Sequence, residues 1–179
     1  MDISRLEEKV ESIKEIVQIL QNKSIKDIEF DSWLDLGRLA RRFDMTKEAE
    51  FLYRTAIEYR PDHVRAWNSL GNLLMSENRY NEAEEAYRTA LKFDPAYFIS
   101  IRNLAGLLRK SLRFEESVEV YRLALKFRPE DVASWHSLGY VYHYLENWKE
   151  SVVCWENAIK YGSGDSNLKI LIEQNKKKI

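Results

Sequence analysis

A single cysteine, Cys154, leaves the chain without an intramolecular disulfide. Six glycines and three prolines in 179 residues leave little of the turn chemistry that an all-β fold consumes. An excess of charge of one sign is missing too. Lys and Arg total 28 against 29 Asp and Glu, a formal net charge of -1, so nothing in the total attracts nucleic acid or an anionic membrane. No stretch approaches the roughly 18 apolar residues needed for a membrane span. The opening residues, MDISRLEEKVESIKEIVQIL, interleave acids and bases with apolar positions and show neither a basic n-region nor an uninterrupted apolar core, so no secretion signal is predicted. These absences predict a cytoplasmic setting without membrane or nucleic-acid partners. What is present is 45% hydrophobic residues among abundant Leu, Ala, Glu, Lys and Arg, the strong helix formers, which predicts an all-α class.

The dominant pattern is an internal period of 34 residues, in four contiguous copies: 30–63, 64–97, 98–131 and 132–165. Position 4 of each copy holds Trp33, Trp67, Ile101 and Trp135. Positions 7 and 8 hold Leu36-Gly37, Leu70-Gly71, Leu104-Ala105 and Leu138-Gly139. Position 20 is small (Ala49, Ala83, Ser117, Ser151), position 24 aromatic (Tyr53, Tyr87, Tyr121, Trp155) and position 27 alanine (Ala56, Ala90, Ala124, Ala158). Pro61, Pro95 and Pro129 close three copies, and Ser163 stands there in the fourth, within Gly162-Ser163-Gly164. Positions 4, 7, 8 and 11 form one helical stripe and positions 20, 24 and 27 a second, so each copy reads as a helical hairpin. Proline lacks an amide donor and disfavours a helical residue before it, which ends the second helix and redirects the chain.

The pattern resembles the tetratricopeptide-repeat family, whose signature is W-x2-L-G-x2-Y, then A-x3-F, then a closing proline, over residues 30–165. The resemblance implies a right-handed superhelical solenoid of antiparallel helix pairs that acts as a non-enzymatic scaffold, adaptor or other protein-binding element. Ile101 and Ala105 depart from the signature but remain apolar.

The repeats predict four domains of organisation. Residues 1–23 form an amphipathic helix with Ile3, Leu6, Val10, Ile13, Val17 and Leu20 at coiled-coil spacing, read either as a cap on the first repeat or as a homodimerisation helix. Residues 24–29 form a linker, residues 30–165 the repeats, and residues 166–179 a capping helix, roughly 166–175, with a basic tail. Self-assembly through the N-terminal helix or the solenoid ends is the rival to partner binding.

No Walker loop, dinucleotide fingerprint, His-Glu-x-x-His or cysteine pair occurs, which predicts no enzyme, no cofactor and no metal. Cys154 reads as a small packed residue. His136 and His143, seven apart on one helix, lack a third ligand in view and read as groove residues.

If positions 4, 7, 8 and 11 are buried, positions 2, 5, 6, 9, 12 and 13 fall on the opposite arc, which in the family lines the concave surface and holds the ligand. That arc carries Arg38, Arg41, Arg42, Arg65, Arg102, Arg109 and Lys110 against Asp31 and Asp35, and so predicts a basic groove. Cations at helix C-termini, favoured by the helix dipole, account for Arg41, Arg42, Arg109 and Lys110 without any ligand, but not for Arg65 and Arg102. Asn68, Asn72 and Asn103 can bond a peptide main chain, and His136, Tyr140, His143 and Tyr144 offer amphipathic anchoring surface. The expected ligand is an acidic peptide or helix with an apolar anchor. The two-carboxylate clamp that the family uses for chaperone tails would fall on Asn68, Asn72, Asn103, Ala133 and Ser137, keeping both asparagines and none of the cations, which argues against that ligand.

Overall fold

The computed structural model describes residues 10–11, 13–15, 17–18 and 30–179, without the side chains of 30–32. The expected linker at 24–29 and half of the N-terminal seam, Ile3, Leu6 and Leu20, lie outside the described residues. The chain divides into two compact units, Met1–Phe93 and Asp94–Ile179.

In the first unit the described N-terminal positions are helical, with Ile13 and Val17 buried, and Val17 lies beside Lys47 and Glu48. Four helices follow: α1 (Phe30–Arg42), α2 (Thr46–Tyr59), α3 (Val64–Ser76) and α4 (Tyr80–Phe93). The second unit holds α5 (Phe98–Lys110), α6 (Phe114–Phe127), α7 (Val132–Tyr144), α8 (Trp148–Lys160) and α9 (Asn167–Lys176). No strand occurs among the described residues. Each repeat is one antiparallel pair, α1/α2, α3/α4, α5/α6 and α7/α8, so the architecture is a helical-repeat solenoid.

The hairpins close because position 8 is nearly bare. A Cβ added to Gly37, Gly71 or Gly139 would come within 3.0 Å of the ring at position 24, that of Tyr53, Tyr87 or Trp155 respectively. Backbone thus packs directly on aromatic face. In the third repeat Ala105 occupies that position and remains fully buried. Where position 20 is serine, its hydroxyl donates to the position-8 carbonyl: Ser117 Oγ to Ala105 O at 2.8 Å, and Ser151 Oγ to Gly139 O at 2.9 Å. Within each unit the second pair is tied to the first by its position-4 indole. Trp67 Nε1 donates to Pro61 O at 2.7 Å and Trp135 Nε1 to Pro129 O at 2.6 Å, so the proline that ends one pair also supplies the acceptor for the next.

Position 15, in every intra-repeat turn, is left-handed without being glycine: Asp44 (φ 57), Asn78 (φ 60), Leu112 (φ 60) and Glu146 (φ 57). Asp and Asn tolerate this region, whereas Leu112 and Glu146 hold it at a cost. The helix ends on either side impose the conformation. Arg113 N, for example, donates to Leu108 O across the turn at 2.9 Å.

Helix α9 continues the 34-residue register as the first helix of a fifth copy. Leu168, Ile172 and Asn175 are buried at positions 3, 7 and 10, where the second copy buries Ala66, Leu70 and Leu73. The stripe that would receive a further helix is instead Lys169, Glu173 and Lys176, all exposed. A helix face of this charge stays wet without a further helix packed on it.

Candidate functional site

The candidate residues lie on the first helices of the pairs, α1, α3, α5 and α7. In the first unit Arg38 is exposed and pairs with Asp35 one turn earlier (3.1 Å), a contact worth little in water. Arg41 and Arg42, in the last turn of α1, are exposed and make no ion pair among the described residues. Asn68 is buried. The Asn72 side-chain oxygen accepts the Tyr87 hydroxyl at 2.7 Å, and burial of that phenol raises its pKa far above the usual value. Arg65 is exposed; it, Asn68 and Asn103 are each engaged by other groups of the chain.

In the second unit Arg102 is not a spare cation. Its guanidinium lies 3.3 Å from Asp131, whose other carboxylate oxygen caps α7 by accepting from Ser134 N at 2.8 Å. It also lies over the Phe98 ring, 5.4 Å from the centroid. The same register recurs one repeat on: His136 Nε2 sits 3.0 Å from Asp165, which accepts from Asn167 N at the start of α9. The His136 contact, reinforced by that amide, holds the Asp165 carboxyl below its ordinary pKa. Positions 5 and 34 of these two repeats therefore form a pair that ties a first helix to the cap of the next.

His143 is likewise committed. Its Nδ1 is 3.1 Å from the Asn175 side-chain oxygen, and Asn175 Nδ2 donates to Ser151 Oγ at 3.0 Å. Tyr140 lies edge-on between His136 and Trp155, with ring centroids 5.1 and 5.2 Å away. Burial, followed by the Asp165 charge, raises its pKa. Tyr144 is the open aromatic, 62% exposed while stacked on Phe114. Lys110 has a contact of its own, but Arg109 makes no ion pair among the described residues, and its Nε is buried with no hydrogen-bond partner.

Of the candidates in the second unit, Arg102, His136 and His143 thus serve the joints of the solenoid, while Arg109 and Tyr140 are half-buried and Tyr144 is exposed. Asp131, Asp165 and Asn175 were not singled out from the sequence. Two of them had a signal: cation at position 5 and acid at position 34 occur together in the third and fourth copies. Cys154 is 3% exposed, and burial, with Glu150 adding to it, pushes its thiol up to about 12, so it is protonated and unreactive at neutral pH. No group of three metal-ligating side chains occurs among the described residues, and no described helix is long and apolar enough to cross a membrane.

The family model described as tetratricopeptide repeat matches twice, at residues 30–63 and 64–97. No curated protein matches the chain. Among solved structures, the MamA protein is 16% identical with a TM-score of 0.77, over 83% of this chain and 81% of that one. MamA from residue 41 to its end, from Desulfovibrio magneticus RS-1, is 14% identical with a TM-score of 0.77, over 86% and 87%. PilF of Pseudomonas aeruginosa is 22% identical with a TM-score of 0.74, over 83% of this chain and 68% of that one. At such identities the likeness carries the fold and nothing about ligands. The two matched copies coincide with the first two 34-residue units, and the same register runs on through residue 165: the chain is a tetratricopeptide-repeat protein.

Proposed function

We propose that the protein is a non-enzymatic interaction scaffold that binds an acidic partner segment carrying an apolar anchor, with Arg109 as its principal cation and Tyr140 and Tyr144 as the anchoring surface. The observation that carries this reading is Arg109. Its neighbour in kind, Arg102, has an internal carboxylate, whereas the Arg109 Nε is withdrawn from water with no acceptor. Arg109 as a whole is half-buried and makes no ion pair among the described residues, so a carboxylate supplied by a partner would be the first close counter-charge for its guanidinium. In the first unit Arg41 and Arg42 offer a second place for acidic side chains. The asparagines contribute less than their type suggests, because Asn72 is occupied by Tyr87 and Asn68 is buried.

The test is the fluorescence anisotropy of a labelled glutamate-rich peptide with one central phenylalanine. Arg109→Ala should weaken binding about tenfold, the loss of one charge-assisted contact. Arg38→Ala, which removes an exposed local pair, should leave it unchanged. Equal affinity of wild type and Arg109→Ala would sink this assignment.

A further inference from the structure

On the α6 and α8 side of the second unit, between the third and fourth repeats, lies a cavity of about 260 Å³. Its walls are apolar, including Leu125, Leu138 and Val153, and three polar groups border it: Arg122, Tyr142 and Glu150. Neither charged group is held in a close ion pair. Tyr142 is 5% exposed and its hydroxyl has no hydrogen-bond partner. Arg122, itself exposed, reaches Glu119 at 3.9 Å, too far for a hydrogen bond, and lies over the Tyr142 ring, where its charge partly offsets the rise in the Tyr142 pKa that burial causes. Glu150 makes no side-chain ion pair among the described residues.

The repeat register explains why the cavity is open. The four positions that close the equivalent junction between the first and second repeats are 21 and 25 of one copy and 16 and 19 of the next, where Glu50, Arg54, Arg79 and Glu82 form one ion-pair network. In the second unit these positions hold Val118, Arg122, Asn147 and Glu150. The outer arginine and glutamate persist, while the two members that joined them are replaced by groups without charge. An arginine and a glutamate without the close partners their counterparts have are left at an apolar cavity.

We infer that this cavity is a docking site for one apolar side chain of a partner polypeptide, with Arg122 taking a main-chain carbonyl and Glu150 a main-chain amide beside it. Size sets the first part. The volume exceeds the roughly 150 Å³ that accommodates benzene and falls below the ~300–1,000 Å³ of sites for larger ligands, so it suits a Phe- or Leu-sized group. Charge sets the second. One cation and one anion match the paired C=O and N–H of a peptide unit better than they match any ion. This site lies on the opposite layer from Arg109 and stands or falls independently of the acidic-ligand reading.

The probe is N-acetyl-L-phenylalaninamide, titrated into the full chain and followed by the NMR signal of the Trp135 indole N–H, which borders the cavity and is assigned with Trp135→Phe. A saturable shift is expected, absent with N-acetylglycinamide. Val153→Trp, at a residue 42% exposed, should fill the mouth and abolish it. Asn147→Arg places the residue found at Arg79 beside Glu150 and should weaken binding about tenfold. Because Asn147 is exposed, that variant remains informative should the tryptophan fail to fold. Arg109→Ala should change nothing. Absence of a saturable shift, or equal binding by Asn147→Arg, overturns the proposal, and equal binding of toluene, which has no amide, overturns the roles of Arg122 and Glu150.

Discussion

Between the first and second repeats, Arg79 bonds Glu50 at 2.6 Å and Glu82 at 2.7 Å, and Arg54 touches both acids at 2.8 and 3.5 Å. Between the third and fourth, the same four positions make no such network and a cavity stands open. The second and fourth repeats are built alike at these joints: a position-4 tryptophan bonded to a proline carbonyl, a position-8 glycine against an aromatic ring, and alanine at position 27. Positions 4, 7, 8, 20, 24 and 27 build the hairpin, whereas 16, 19, 21 and 25 decide only whether the joint is sealed. Binding chemistry can therefore change at the second set while the fold, carried by the first, is untouched.

The shared part of that comparison is the most sensitive to attack. Gly71→Ala and Gly139→Ala should each cost about 2–3 kcal/mol in urea denaturation, because the new methyl meets a buried ring that cannot yield. A cheap Gly139→Ala beside a costly Gly71→Ala would mean that the open joint relaxes its own hairpin, and the two sets of positions would not be separable. The unshared part comes next. Arg79→Ala should cost about 1–2 kcal/mol, reduced by the partial exposure of its partners, while Asn147→Ala should cost about 0.5 kcal/mol through loss of a long cap contact.

Acid should separate the two joints in the same sense. The hydrogen bond from Arg79 is the largest influence holding the Glu50 and Glu82 carboxyls below their ordinary 4.5. A depressed carboxyl stabilises the fold above its unfolded pKa and loses that contribution as pH falls through the folded one. The cost of Arg79→Ala should therefore be complete at pH 7, shrink as pH falls below about 4.5, and vanish once both acids are protonated. An unchanged cost at pH 2.5 would show that Arg79 acts through packing and not charge. The smallest effect belongs to the third repeat's turn. Leu112→Gly should stabilise by about 0.5–1 kcal/mol, since glycine adopts φ 60 without strain and the leucine side chain is exposed.

The candidate site was less legible than the fold, and Arg102 shows why. Its position early in α5 leaves the helix dipole unable to explain it, so in the sequence it reads as a ligand cation, yet Asp131, 29 residues on, accounts for it. His136 and His143 follow the same course, their partners Asp165 and Asn175 lying 29 and 32 residues away. Arg109 reads as the opposite, a cation explained by its helix end, and proves to be the one whose Nε has no acceptor. Asn175 carried a faint signal: it falls at position 10 of the continued register, where the four copies place Leu39, Leu73, Leu107 and Val141.

By itself the sequence determined the helix pairs and which stripe of each is buried. These follow from apolar spacing, from the small residue that must face a large one, and from proline, all of which act over a few residues or recur in fixed register. Only the tertiary structure decided which charged and amide groups remain available to a partner and where a joint stays open. Pairs such as Arg102–Asp131, the Asn175 bridge and the cavity bordered by Tyr142 depend on distances between helices, and a difference of an ångström or two separates a satisfied group from one that is not.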